Sequence, residues 1–247
     1  MEIHAHTHTP RKKWTHYFWE FLMLFLAVTL GFFVENQREH FIEHQREKQF
    51  IKSIIVDLSQ DTVAINHLIA DFEHKGKDLD SLMILLNAPD IKEKGASIYL
   101  KGRSAPRMEY FAPIDRTILQ MENSGGFRLI RNDSASASIL NYYASINFLE
   151  LLKSINSQQA ETYRNMTIDI FDPMIFEWMV TNKVNDIIVM PEGNPQLLTY
   201  DRKQLTRLTG AIHYFNSTRR ALGIAYLNQK QAALNLISLL KKEYHLK

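Results

Sequence analysis

The chain has 247 residues, 45% of them hydrophobic and 23% charged, with a formal net charge of +2. The near-neutral balance gives no ground for a nucleic-acid partner, and the lack of cysteine excludes disulfides, thiolate zinc sites, iron–sulfur clusters and cysteine nucleophiles. Nine glycines and seven prolines are few for this length and favour long helices over a turn-rich β architecture.

Residues 1–13 read as a polar cytoplasmic tail ending in Arg11, Lys12 and Lys13. His4, His6 and His8 alternate along it, and imidazoles so spaced can share a copper, nickel or zinc ion. A solvated tail is the plainer reading.

Residues 14–35 are expected to form a transmembrane helix. From Tyr17 to Val34 there is no Lys or Arg and a single acid, Glu20. Eighteen residues at ~1.5 Å each reach about 27 Å, close to the hydrocarbon thickness of a bilayer. Trp14, Tyr17 and Trp19 stand where an interfacial aromatic belt lies. The basic triplet before the segment and the mixed charge after it orient the N-terminus to the cytoplasm and the rest outward. A cleaved signal peptide needs a small-x-small site, whereas Gly31-Phe32-Phe33-Val34 is bulky. Glu20 lies one turn from the cytoplasmic end and can snorkel to the headgroups or act as a contact within the membrane. Ala27 and Gly31 form a small-xxx-small pair that permits close helix approach.

Residues 36–52 read as a polar juxtamembrane stalk. Within it His40-Phe41-Ile42-Glu43-His44 matches H-x-x-E-H, which on a helix sets two imidazoles on one face beside a carboxylate base. Glu122 would be the carboxylate ligand such a zinc site still needs. No large α/β domain surrounds the motif, and a solvated stalk explains the same residues. Residues 53–247 are expected to be a periplasmic helical domain. Apolar residues recur at spacings of three and four from Ile51, Ile54, Ile55 and Leu58 through Ile65, Leu68, Ile69 and Phe72 to Leu79, Leu82, Met83 and Leu86, the stripe of an amphipathic helix. Asp57, Asp61 and Asp71 lie along this helix without the spacing of a calcium loop. Gly76 is a candidate bend, and Asn87-Ala88-Pro89-Asp90 ends the run.

Residues 88–112 read as irregular, with Ser97–Leu100 as a short extended piece. A short helix is expected from Ile114 to Glu122, stopped at Ser124-Gly125-Gly126. Asn132 or Asp133 should cap a long helix to about Met166, and Pro173 interrupts a continuation ending near Val180. Residues 182–199 form a second loop, and Asp201 should cap a last helix to Tyr244. Tyr142, Tyr143, Trp178 and Tyr214 are taken as core. The 46 residues from Arg202 hold nine Lys or Arg and one acid, Glu243. This basic face is expected to pair with acids of the first helices rather than with lipid or an acidic partner. Arg128 and Arg131 are candidate anion binders.

The run from Thr117 to Asp133, with Ser124-Gly125 and Leu129-Ile130 at its centre, is followed by Asn141-Tyr142-Tyr143. Together with the early apolar helix it resembles an uncharacterised family of single-pass, inner-membrane-anchored helical proteins common in Bacteroidota. The resemblance covers roughly the first 160 residues and implies an anchor with a periplasmic helical domain. It carries no established activity, so no catalytic residue transfers.

No G-x-S-x-G, phosphate-binding loop or dinucleotide fingerprint occurs, and no cofactor is implied. The mainly α fold, one N-terminal transmembrane helix continuing into a long-helix bundle outside the membrane, leads to a non-enzymatic expectation. The chain would be a membrane-tethered scaffold or envelope-complex subunit, with the lipid bilayer and a second copy or a membrane protein as partners. The alternatives are a ligand-sensing bundle acting through a partner and, more remotely, a zinc hydrolase at His40, Glu43 and His44.

Overall fold

The computed structural model describes residues 14–182 and 187–246. It is mainly helical, at 80% helix. Six α-helices occur among the described residues: α1 (Trp14–Leu86), α2 (Gly95–Ser104), α3 (Arg116–Ser124), α4 (Asp133–Thr167), α5 (Pro173–Trp178) and α6 (Arg202–Glu243). A two-stranded antiparallel pair, β1 (Val180–Asn182) and β2 (Ile187–Ile188), follows α5. The chain divides into two compact units, Met1–Phe50 and Ile51–Lys247, and the boundary falls inside α1.

In the first unit the described part of α1 begins with the apolar stretch and goes on through pairs spaced along its own surface. Arg38 meets Glu35 at 3.3 Å and His44 meets Glu47 at 3.1 Å. Such contacts support a helix by a few tenths of a kcal/mol each.

The second unit is built on three long helices. Along α1, Ile51, Ile54, Leu58, Ile65, Leu68, Phe72, Leu79, Leu82 and Leu86 are buried. On α6 the buried residues Leu205, Leu208, Ile212, Phe215, Arg219, Leu222, Tyr226, Gln229, Ala233, Leu236 and Leu240 alternate by three and four, with Asn216 and Ala225 buried beside them. On α4 it is Ala135, Ile139, Tyr142, Leu149, Asn156, Ala160, Tyr163 and Thr167, in the same register with two half-buried positions between. This is coiled-coil-like knob packing. Contacts fix the directions. Phe72 meets Tyr226 at 5.3 Å and Asn87 meets Thr209, so α1 and α6 are antiparallel. Ser145 meets Gln229 and Asn156 meets the Phe215 carbonyl, so α4 and α6 are antiparallel as well. Hence α1 and α4 run in the same direction.

Two parallel helices need a return path, and residues 105–115 supply it. This strap leaves α2 beside Tyr163, whose hydroxyl donates to the Gly102 carbonyl at 2.8 Å. It passes Asn156 and Tyr226 and reaches Asp57 and Asp61 on α1 before α3 begins.

The helix ends follow local chemistry. The Asn132 side chain accepts from the Ala135 N–H, and Asp201 accepts from the Gln204 N–H, the capping expected at both positions. Gly125 closes α3 in the left-handed region at φ 66°. Several expectations need correction. Ser97–Leu100 is helical, inside α2, because Ile98, Tyr99 and Gly102 all face the core. The first N–H of α2 is taken by the Asn194 side chain at 2.7 Å, from a loop remote in sequence. α1 runs straight through Gly76, which is not a break. The short third helix starts two residues later than Ile114. Phe127–Leu129 belongs to a short 3-10 turn, and the 182–199 loop contains β2. Trp178 and Tyr214 are exposed, not core.

Gly102 is where packing leaves no room. A Cβ there would lie 2.8 Å from Cε1 and Cζ of the buried Phe171 ring, whereas a Cβ at Gly210, in α6, meets nothing within 4 Å. Gly102→Ala should therefore destabilise the fold by about 1–3 kcal/mol. Gly210→Ala should stabilise it by up to about 1 kcal/mol. Chemical denaturation followed by circular dichroism distinguishes the two; equal shifts for both would contradict this packing.

Candidate functional site

Between Tyr17 and Val34, thirteen large apolar side chains are exposed, among them Phe21, Met23, Leu24, Phe25, Leu30, Phe32 and Phe33. Burying each is worth about 1.5–3 kcal/mol, or ~20–40 kcal/mol together. That exceeds the typical stability of a whole domain, about 5–15 kcal/mol. The Thr29 hydroxyl, the one polar side chain in the middle of this stretch, donates to the Phe25 carbonyl at 2.8 Å. Glu20 pairs with His16 at 3.0 Å, both half exposed. Ala27 and Gly31 lie on one face, and the space above Gly31 is open. This helix is long and apolar enough to cross a membrane.

The other candidates from the sequence do not converge. His4, His6 and His8 lie outside the described residues. His40 faces Glu43 at 3.9 Å and His44 faces Glu47 at 3.1 Å, each within its own helix. Among the described residues no three His, Asp or Glu side chains form a group able to hold a metal. Arg128 and Arg131 are exposed, in the 3-10 turn and just after it. The Ile130 side chain packs the corner between them. The expected pairing of the basic last helix is present at its middle. Arg220 grips Asp80 of α1 with 2.7 Å to each carboxylate oxygen.

Two buried polar layers carry the distinctive chemistry, and both sit at gaps in the apolar stripe of α1. The first gap, between Leu58 and Ile65, holds Asp61, with Asp57 one turn before it; both are almost fully buried. Asp57 Oδ1 accepts from Arg116 Nε at 2.7 Å and Nη2 at 2.6 Å, and its Oδ2 accepts from the Thr117 hydroxyl. Asp61 Oδ1 accepts from the Ile114 N–H at 3.0 Å and its Oδ2 from the Tyr142 hydroxyl at 3.0 Å. All four oxygens are thus used to hold the end of the strap and the start of α3 onto α1 and α4. Burial pushes the Asp61 carboxyl up from 3.8 to about 6, with the Asp57 and Asp115 charges adding to it against the two hydrogen bonds. Burial, then the Asp61 charge, raises the Tyr142 hydroxyl far above its usual range. The arrangement is a clamp: an acid–tyrosine pair whose protons are committed to structure.

The second gap, between Phe72 and Leu79, holds Gly76. Here Arg219 of α6 lies across the α1 backbone, where a Cβ on Gly76 would meet its Nη2 at 1.8 Å. Asn216 donates to the Gly76 carbonyl at 3.3 Å and to Asp80 at 2.8 Å, and accepts from Arg219 Nε at 3.1 Å. The guanidinium stacks 5.5 Å above the Phe72 ring. The sequence reading missed Thr117, Asn216, Arg219 and Gln229. For Arg219 and Gln229 the signal available was a polar residue standing where the three–four alternation calls for an apolar one; Thr117 and Asn216 carried no such mark.

Compared with known proteins, the chain matches no family, no curated protein and no solved structure.

The raised Asp61 carboxyl sets a pH dependence with a definite sign. The fold holds this proton more tightly than the unfolded chain, so the group contributes most below pH 4. That contribution falls as pH rises from about 4 to about 6 and is constant above. In Asp61→Asn the amide oxygen still accepts from Ile114 and the amide N–H₂ donates to Tyr142. Thermal midpoints of the variant should match the wild type at pH 4 and exceed it at pH 7.5. Parallel profiles for the two proteins would contradict the assignment.

Proposed function

We propose that this chain is a membrane-tethered helical scaffold, a subunit of an envelope assembly rather than an enzyme. One observation carries the reading: thirteen large apolar side chains stand exposed between Tyr17 and Val34, an apolar surface far beyond what monomers leave to water. Lipid tails are the environment that suits a smooth cylinder of this length. The basic run Arg11-Lys12-Lys13 favours a cytoplasmic N-terminus in an inner membrane, with the helical domain in the periplasm. The resemblance to the Bacteroidota family of anchored helical proteins points the same way. Within the bilayer, Ala27 and Gly31 offer a backbone-close contact for a second copy or a partner helix, and Glu20 with His16 marks the headgroup level. In the second unit the oxygens of Asp57 and Asp61 are all engaged in holding the strap, α3 and α4 together, which suits a structural element more than a catalytic one.

The tether is tested by fractionation. Full-length protein should remain with membranes through alkaline carbonate washing and leave only with detergent. Protease added to spheroplasts should degrade the large C-terminal part. Recovery in the aqueous fraction without detergent would refute the tether, and protection from external protease would refute the orientation. Gly31→Leu should reduce self-association of the anchor by several-fold in a fluorescence energy-transfer assay, whereas Phe25→Leu, on the opposite face, should not.

A further inference from the structure

A groove of about 320 Å³ runs between α1 and α6 in the second unit, walled by Ile69, Phe72, Ile224 and Leu227. That volume is at the small end of ligand pockets. Three features set it apart from an ordinary crease. Its floor is Gly223, in the middle of α6. A Cβ there would lie 3.8 Å from Phe72 Cδ1, an ordinary contact. Alanine would therefore fit and would favour the helix by up to about 1 kcal/mol, so the space is kept at a cost in stability. Next, Ile224 and Leu227 are 61% and 48% exposed, so the apolar wall is open to an incoming molecule. Last, Arg219 lines the groove while only 4% exposed. Its Nη1 is sealed from water with no hydrogen-bond partner, although such an orphaned donor is costly. The nearby acids Asp71 and Asp80 offset this only in part, and neither reaches Nη1: Asp80 is gripped by Arg220 at 2.7 Å. Burial and the Arg220 charge accordingly push the Arg219 guanidinium down from its ordinary value.

We propose that this groove binds a small amphiphile with an anionic head, a carboxylate or phosphate on an apolar chain. The head lies at the end of the groove that Arg219 lines, where a small side-chain shift uncovers the guanidinium to it, and the chain lies over Gly223 between Phe72, Ile224 and Leu227. Charge-assisted pairing with a buried arginine supplies the specificity, and the apolar walls supply the burial. Glu73 lines the same groove and is exposed; it repels an anion and sets an upper limit on affinity. The groove lies wholly in the second unit, while its test in discs rests on the tether, so failure of the chain to enter the discs counts against the tether and absence of binding by chain held in them counts against the groove.

The test is equilibrium dialysis of labelled decanoate against the full chain in phosphatidylcholine nanodiscs, with empty discs subtracted. One saturable site per chain is expected, with decanol and inorganic phosphate each binding at least tenfold more weakly. Gly223→Leu, which fills the groove against Phe72 and keeps the Arg219 charge, should weaken decanoate at least tenfold while leaving the thermal midpoint within a few degrees. Glu73→Gln should tighten it several-fold. Arg219→Lys should weaken it, and Gly223→Leu keeps the proposal open to refutation should the lysine variant fail to fold. Lysophosphatidic acid doped into the discs separates the sources. Competition identifies a lipid as able to supply the anion, and none identifies a free acid. No saturable uptake, equal binding of decanol, or an unaltered site in Gly223→Leu would overturn the proposal. In the first case Glu73 closing on Arg219 is the remaining account of the groove.

Discussion

The helical domain depends on satisfying the backbone of a segment that is neither helix nor strand. Residues 105–115 lie along three helices with no sheet partner to take their N–H and C=O groups. Each such group left unpaired in the interior costs about 1–3 kcal/mol. The partners come from side chains projected by the helices. Tyr226 receives the Phe111 N–H at 3.1 Å, Asp61 receives the Ile114 N–H, and Arg164 donates to the Pro106 carbonyl at 3.2 Å. Asn156 accepts from Tyr110 at 3.2 Å while donating to the Phe215 carbonyl. A carboxylate therefore occupies a core position of α1, where burial alone would disfavour it. The strap in turn exists because α1 and α4 run in the same direction and must be joined end to end.

This also explains which parts of the fold were legible in advance. Strong local caps were sufficient to place the starts of α4 and α6, because Asn132 and Asp201 act within three residues of themselves. The stripe on α1 was read nearly residue by residue. α2 was hidden because its first donor is satisfied by Asn194 and its Tyr99 hydroxyl reaches the Gln196 carbonyl and the Asp172 N–H, partners that no local window contains. The polar layers were hidden for the opposite reason. They were visible as gaps in the stripe, at Asp61 and Gly76, but a gap reads as an interruption until the residue filling it from another helix is known.

Gly76 illustrates how one residue type serves different ends. In an isolated helix it is a weak point. Here it is the seat of Arg219, held further by Asn216. Gly223, one turn beyond Arg219 on α6, leaves the opposite kind of space, one that stays unfilled. The candidate metal residues carried no comparable arrangement. His40 and His44 each turn toward a carboxylate of the same helix, which is what charge pairing on a polar surface produces.

The order of the helices along the chain has a kinetic price. The face of α1 is covered by α6, and contacts such as Asn216 with Asp80 close loops of 136 residues. At a synthesis rate of about 5–20 residues per second, roughly 7 to 27 s separate the emergence of the two partners. During that interval the greasy stripe of the first helix has no mate, and non-local closure of this kind is slow in any case. Nascent chains of this design call for a holding chaperone or for transport in the unfolded form, with assembly deferred until the last helix is delivered.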